Sequence, residues 1–460
     1  MRLECVIAWI LGGVFMQFGM FYELQLPRPW NDGDEAKLFK NALDWGVLAE
    51  KVGIDYAWAQ EHHFLEEYSH STAPEVFLAA LSQRTTRMRL GHGVTLMVPN
   101  YNHPARIAER LGALDLVSSG RVEWGTGESS SRIELEGFRV NYVEKRAMWA
   151  EAVRETAKMM CSEPYAGFEG KYFSMPARNI IPKPMQRPHP PIWVACTNRD
   201  TMKLAARLGI GALTFAFMDP GEAKFWVEEY YEIFRNECTP IGRSVNPNIA
   251  MLSGLMCHRD SDTAMKRGAE GLSFFAYGLA HYYRFGTHRP GRTSIWEEFK
   301  AAPPFPMAGV GGIGNPEQVR ESFELLEQSG IDQLICLQQA AGYAHEHICE
   351  SLELFGKEII GGFKERHEKR HAKKMAELAP CIEKAMARIP PLEQNAEVAP
   401  VEAYPLLWEK NKLVDTSSFT AKRSVGSTAI WKMHVGGVTR EKSPDDKEPV
   451  DGNGSETHPR

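Results

Sequence analysis

The chain has 460 residues, 43% of them hydrophobic and 24% charged, with a formal net charge of −6. That composition is near the average for soluble globular proteins and excludes a wholly disordered or low-complexity chain. The acidic balance, without a basic patch interleaved with stacking aromatics, gives no basis for nucleic-acid binding and favours small-molecule chemistry.

The apolar run Val6 to Phe15 near the start is much shorter than the roughly 20 residues a membrane-spanning helix needs. Glu4 stands where a signal peptide carries basic residues, so no membrane or export role is expected. Met16 is an alternative start, which makes residues 1–15 a candidate non-native extension. The eight cysteines are dispersed without a C-x-x-C pair, which suggests neither a zinc site nor a redox dithiol and points to a reducing, cytoplasmic compartment.

Runs rich in β-branched and aromatic residues predict strands at 17–22, 54–60, 88–98, 121–125, 192–196, 211–215, 249–257 and 331–337. Helical stripes lie between them, such as Leu38, Ala42, Trp45, Leu48 and Val52, or Ile107, Leu111, Leu114 and Val117. Asn315 followed by Pro316 opens another helix as N-cap and first residue, with Val319, Phe323 and Leu326 on its apolar face. Strands alternating with helices imply parallel pairing, and eight units favour a closed α/β architecture, the (β/α)₈ TIM barrel, over an open doubly wound sheet. Two excursions follow strands four and seven, at 128–191 and 258–314, and so emerge on the C-terminal face where barrel enzymes keep their sites. The barrel is expected over 16–363 and a charged, solvated helical extension over 364–390. A disordered tail is expected over 391–460.

His62 and His63 directly follow the second strand, at the barrel mouth. Histidine titrates near neutrality and can move a proton or bond to a developing anion. A structural role and a catalytic one both remain open for the pair on local chemistry alone. Gly125-Thr-Gly127 ends strand four, where a missing Cβ admits a flat ligand or merely a tight turn. Ala195-Cys196-Thr197-Asn198 ends strand five and leads into a helix, so hydroxyl, amide and free N–H groups converge as in an anion site or an ordinary helix cap. Gly309-Val-Gly311-Gly-Ile-Gly314 matches a dinucleotide fingerprint, but the proline-rich Ala301-Ala-Pro-Pro-Phe-Pro306 stands where its central strand belongs. A metal site at His62 and His63 would need a third ligand converging on them in space, and their own spacing supplies none.

Six segments, in order, resemble the bacterial luciferase-like flavin-dependent monooxygenases. They are Glu61-His-His-Phe64; Leu90-Gly-His-Gly-Val-Thr-Leu96 with His103-Pro104; Leu114-Asp-Leu-Val-Ser-Ser-Gly-Arg121; Arg187-Pro-His-Pro-Pro-Ile-Trp-Val-Ala195; Gly314-Asn-Pro-Glu-Gln-Val319; and Ser351-Leu-Glu-Leu-Phe355. The resemblance implies reduced FMN as co-substrate, or a reduced deazaflavin in one branch, and a peroxyflavin that oxygenates a small, apolar organic substrate. It implies His62 as the catalytic group, Gly127 and Glu128 beside the flavin ring and ribityl chain, and Ala195, Cys196, Thr197 and Asn198 at the phosphate. A separate NAD(P)H-dependent flavin reductase, O₂ and a homodimer complete the expected partners. Two departures stand out: Glu128 replaces a frequent arginine, with Arg132 or Arg199 as substitutes, and Cys196-Thr197 replaces a pair of serines. The alternatives are a deazaflavin-dependent dehydrogenase on the same barrel and a flavin-binding protein without turnover. The aromatic residues of 258–314, among them Phe274, Phe275, Tyr277, Tyr282 and Tyr283, are expected to line or close the substrate pocket, or to pack as an insertion.

Overall fold

The computed structural model describes residues 16–214, 219–304, 310–392 and 397–401. The expected extension at 1–15 and nearly all of the expected tail lie outside the described residues. Eight strands make the core: β1 (Gln17–Tyr22), β2 (Tyr56–Ala59), β3 (Arg89–His92), β4 (Val122–Gly127), β5 (Ile192–Cys196), β6 (Gly211–Thr214), β7 (Ile249–Gly254) and β8 (Gln333–Leu337). All pair in parallel. β1 lies between β2 and β8, and β3 pairs with β4 through Leu90 and Val122, so the sheet has no free edge. That closure is the (β/α)₈ barrel and removes the open-sheet alternative. The predicted strand 88–98 splits, because Thr95–Leu96 makes its own short pairing with Thr126–Gly127 beyond β3.

Alternation along each strand decides what faces inward. Phe18, Met20 and Tyr22 of β1 join the layer between sheet and helices, while Phe21 belongs to the cluster inside the barrel. Trp58 and Trp193 fill the interior edge to face, with ring centroids 5.4 Å apart. They fit because glycine lies opposite: a Cβ on Gly91 would sit 2.2 Å from the Trp58 ring, and one on Gly211 would sit 2.3 Å from Trp193. The indole N–H groups donate to Gln333 Oε1 at 2.7 Å and Glu123 Oε2 at 2.6 Å, and Arg89 pairs with Glu123. The barrel is thereby plugged with bonded polar groups toward its N-terminal end, and the chemistry is left to the C-terminal mouth.

The outer helices bury most of the predicted stripes, although Val117 at the end of Pro104–Val117 is exposed. Asp34–Val52 buries Leu38, Ala42, Trp45 and Ala49, and Asn315 forms a capping box with Gln318 at the head of Pro316–Gln328. The excursion after β4 contains helices Arg132–Gly137 and Lys145–Cys161 and an antiparallel hairpin, Tyr165–Glu169 with Ser174–Arg178. The excursion after β7, expected as an aromatic loop, is largely helical: Ser261–Ala280, a wide turn at His281–Phe285, and Ile295–Ala301. Phe274, Phe275, Tyr277 and Tyr282 join the hydrophobic cluster of the barrel interior, so this excursion roofs the mouth. Its close approach needs Gly278, whose Cβ would stand 2.9 Å from Tyr68.

The charged run expected as a solvated extension lies in helix Gly361–Met386, which is not merely solvated. Leu378 and Ala385 are core residues, and Lys374 reaches under the barrel to Asp332. Among the described residues, no helix is long and apolar enough to cross a membrane.

Candidate active site

His62 is held from both sides. The loop after β2 fixes its backbone, since the His62 N–H donates to Ser71 O at 2.8 Å. Its Nδ1 lies 3.1 Å from Glu134 Oε1, on helix Arg132–Gly137 of the first excursion. Its Nε2 lies 3.5 Å from Glu23 Oε1, just beyond β1. Glu23 continues the inward parity of Phe21 and is 1% exposed. Three chain regions, each entering from the C-terminal ends of strands, therefore meet at one imidazole.

The two carboxylates differ in how they are satisfied. Glu134 also receives the His63 backbone N–H at 2.9 Å and the Ser129 hydroxyl. Burial would raise its pKa, but His62 and these donors outweigh burial and hold it below the ordinary carboxylate range. Glu23 Oε1 is buried without a hydrogen-bond partner. Burial pushes the Glu23 carboxyl up to about 7, against the pull of His62 and of the Ser69 and Tyr68 hydroxyls. Burial alone would lower the His62 pKa, yet Glu23 and Glu134 overcome it and raise it to about 9. His62 is thus an imidazolium at neutral pH, a donor from both ring nitrogens.

His63 is engaged by neighbours of its own. Its Nε2 is 3.3 Å from Glu61 Oε1, and its ring packs 5.0 Å from Phe138. Glu61 in turn accepts from the Leu96 N–H at 2.7 Å and Asn102 Nδ2 at 2.8 Å, which ties the histidine loop to the segment beyond β3. The roof comes from the second excursion: Phe275 lies 5.6 Å from Tyr68, itself 5.9 Å from the His62 ring.

The remaining predicted residues form a shelf across β4 and β5. Gly127 faces inward, but a Cβ there would meet Val94 Cγ2 at 2.4 Å, so packing within the protein already demands the glycine. Ala195 borders the interior cluster, while Thr197 and Asn198 are exposed. The Asn198 side chain caps helix Arg199–Leu208, accepting from the Thr201 N–H at 3.0 Å. Cys196 does not join them: strand parity turns its side chain to the helix layer, where it is fully buried. Glu128 pairs with Lys145 at 3.3 Å and Arg146 at 2.9 Å. Arg146 also donates to Thr201 Oγ1 at 3.3 Å, at the start of the capped helix. The two arginines expected as substitutes point elsewhere, Arg132 to Glu136 and Arg199 to Glu229. Among the described residues, no group of three or more His, Cys, Asp or Glu is arranged to hold a metal ion.

Glu23, Glu134 and Arg146 were not singled out from sequence. The parity of Phe21 could have flagged Glu23 as an acid on the inner rim; Glu134 and Arg146 sit in the first excursion, whose course the sequence pattern does not fix.

The model of the luciferase-like monooxygenase family matches residues 16–333. The chain belongs to that family. This luciferase-like chain is 24% identical over 369 residues to the oxygenase component of a flavin-dependent trigonelline monooxygenase of Acinetobacter baylyi, covering 78% of this chain and 98% of that protein. It is 32% identical over 204 residues to an uncharacterized protein of Sinorhizobium fredii, a match over 44% of this chain and 56% of the relative's length. An F420-dependent glucose-6-phosphate dehydrogenase of Microbacterium testaceum is 27% identical over 237 residues, 49% of this chain and 66% of its own. The fold of the luciferase-like barrel is also that of the oxygenating constituent of 3,6-diketocamphane monooxygenase from Pseudomonas putida, solved with FMN. There the TM-score is 0.61 at 19% identity, over 75% of this chain and 98% of the other.

Proposed function

We propose that the chain is the oxygenase of a two-component flavin monooxygenase. It takes reduced FMN from a separate NAD(P)H-dependent reductase and uses O₂ to oxygenate a small, apolar organic substrate. The observation that carries this reading is His62, held protonated by Glu23 and Glu134 beneath an aromatic roof at the barrel mouth. When bound, reduced flavin supplies the electrons and activates O₂.

The residues present fit such a cofactor. Glu128 has one oxygen bound to Arg146 and the other, Oε2, buried without a partner. A carboxylate so placed would accept from ribityl hydroxyls and would not serve the phosphate. Arg146, Thr201 and the N–H groups at the start of helix Arg199–Leu208 make the complementary set for a phosphate, with Thr197 and Asn198 beside them. Cys196 contributes through its backbone at most.

The protein's own part is proton supply, position and exclusion of water. His62 carries a donor at Nε2, beside Glu23 at the rim of the mouth, with its ring orientation fixed through Nδ1 by Glu134. Phe275, Tyr68 and Tyr282 wall the space with aromatic surface, which favours an apolar substrate and keeps water out. The F420-dependent relatives support a second reading, a deazaflavin-dependent dehydrogenase on the same residues.

Purified protein tests both readings. Reduced FMN is expected to bind, and product to form from a panel of apolar substrates once a flavin reductase is added. His62→Ala is expected to bind FMN as before and to lose product formation while still consuming O₂. A preference for deazaflavin moves the assignment to the dehydrogenase, and failure to bind either cofactor overturns both.

A further inference from the structure

We propose that Glu23 is a positioning residue that holds and replenishes the proton on His62 Nε2, while Glu134 orients the ring and helps to hold its charge but does not supply a proton. This rests on the reading of His62 as the acting group, and it concerns a carboxyl that the sequence pattern left unmarked.

The division of labour follows from the contacts. Glu134 has three donors, namely His62 Nδ1, the His63 N–H and the Ser129 hydroxyl, which favour its anionic form and disfavour its taking up a proton. It therefore acts as an orienting carboxylate behind the histidine. Glu23 is held less firmly: the Ser69 and Tyr68 hydroxyls act on its carboxyl, but they leave one oxygen without a hydrogen bond. It is 1% exposed, its Oε1 lacks a hydrogen-bond partner, and the ring nitrogen it faces is 3.5 Å away, too far for a good hydrogen bond. A buried carboxylate oxygen without a hydrogen bond is costly, and the cost is relieved when the carboxyl carries a proton. Glu23 is therefore a proton store in line with Nε2, separated from it by a few tenths of an ångström of side-chain movement.

The transfer balances without any redox partner. When His62 gives its Nε2 proton to an anion in the mouth, the O–H bond of the Glu23 carboxyl breaks and a new N–H bond forms at Nε2. Glu23 is left as carboxylate until it regains a proton from solvent. The other titratable groups facing the pair are Glu61, Glu134, Tyr68 and Tyr283, from the β2 loop and both excursions. Burial drives the Tyr68 and Tyr283 phenols far up, so they stay neutral and do not compete. The upward displacement of the Glu23 carboxyl toward neutrality agrees with this role.

The test reads the proton directly. Protein labelled with ¹⁵N-histidine, free of flavin, is titrated by NMR, with circular dichroism confirming the fold of each variant. Glu23→Gln is expected to lower the His62 midpoint by about one pH unit or more, a tenfold loss of proton affinity. Glu23→Asp, which keeps the carboxyl but withdraws it, is expected to give a smaller drop and serves if the glutamine variant does not fold. In single-turnover oxygenation, Glu23→Gln is expected to flatten the pH profile around neutrality with KM little changed. A His62 midpoint unmoved in both variants overturns the proposal. Because the titration needs no flavin, it stands or falls separately from the assignment of FMN.

Discussion

Lys374 Nζ lies 2.6 Å from Asp332 Oδ1 on the face of the barrel opposite His62. The same ammonium donates to Asn248 Oδ1 at 2.7 Å and Pro247 O at 3.2 Å, in the segment that enters β7, while Asp332 enters β8. Asp332 also accepts from the Tyr231 hydroxyl at 2.6 Å and the Ile249 N–H at 2.9 Å. The C-terminal helix is thus a strap, and Lys374 is its fastening.

Lys374→Met is expected to cost about 3–5 kcal/mol, because it leaves a buried carboxylate without its cation. Urea denaturation at pH 7 measures this. Burial would raise the Asp332 pKa, but Lys374 and the two donors more than offset it and hold it below the ordinary aspartate range. A depressed carboxyl contributes stability above its unfolded pKa and loses it as pH falls through the folded one. The gap between wild type and variant is accordingly expected to be wide at neutral pH and to narrow in acid. A strap of purely solvated charge would leave both curves alike.

The barrel mouth gives the opposite pH dependence. Glu23 and His62 both have folded pKa values above their ordinary ones, at about 7 and about 9, from burial in the first case and from two carboxylates overcoming burial in the second. Groups displaced upward contribute stability that is full below the unfolded pKa and is lost as pH rises through the folded value. The thermal midpoint is expected to fall as pH rises from about 4.5 to about 9, and Glu23→Gln is expected to flatten the portion below neutrality. Melting curves across that range decide it; an unaltered slope in the variant argues against the Glu23 contribution.

Much of the fold was legible because its signals are local. Strand runs, helix stripes and the Asn315 cap follow from patterns of two to four residues, and the closure of the sheet follows from their number and alternation. The position of His62 was legible for the same reason, as it directly follows β2. The site's partners were not, because each depends on contacts across long stretches of chain: Glu134 is 72 residues from His62 and Arg146 is 18 from Glu128. Cys196 is a different case. Its parity with Ile192 and Val194 was readable within β5 and assigns its side chain to the helix layer, but the resemblance to a phosphate turn weighed position along the chain and not side-chain direction.

The excursion after β7 is pinned to the same loop that carries His62. Glu67, fully buried, accepts the Arg28 N–H at 2.6 Å as well as the Ile295 and Trp296 N–H groups at the head of helix Ile295–Ala301. Beside it, Glu66 accepts the Gly291 N–H at 2.7 Å and lies 3.1 Å from His288 Nε2. Glu67→Ala strands these buried donors, at a cost of about 1–3 kcal/mol for a group left unsatisfied. Amide hydrogen exchange is expected to quicken selectively across 288–301, and substrate KM to rise, with little change in FMN binding. Faster exchange spread evenly over the barrel would mean general destabilisation instead of a loosened roof.

Arg146 offers the sharpest test of how this chain compensates for Glu128. A carboxylate on the shelf repels a phosphate, yet it also aims a guanidinium: Glu128 Oε1 receives Arg146 Nε at 3.0 Å while Nη2 reaches Thr201 Oγ1 at 3.3 Å. Arg146 is thereby held at the start of helix Arg199–Leu208, where partial positive charge already accumulates. A charge-assisted contact of this kind is worth about 1.5–3 kcal/mol, so Arg146→Ala should weaken reduced FMN binding roughly 10- to 100-fold. Riboflavin, which has the same ring and ribityl chain without the phosphate, should bind both proteins alike. Arg132→Ala and Arg199→Ala should leave the preference for FMN intact, since those side chains are engaged by Glu136 and Glu229. Equal losses for FMN and riboflavin in Arg146→Ala would reassign the residue from the phosphate to the support of Glu128.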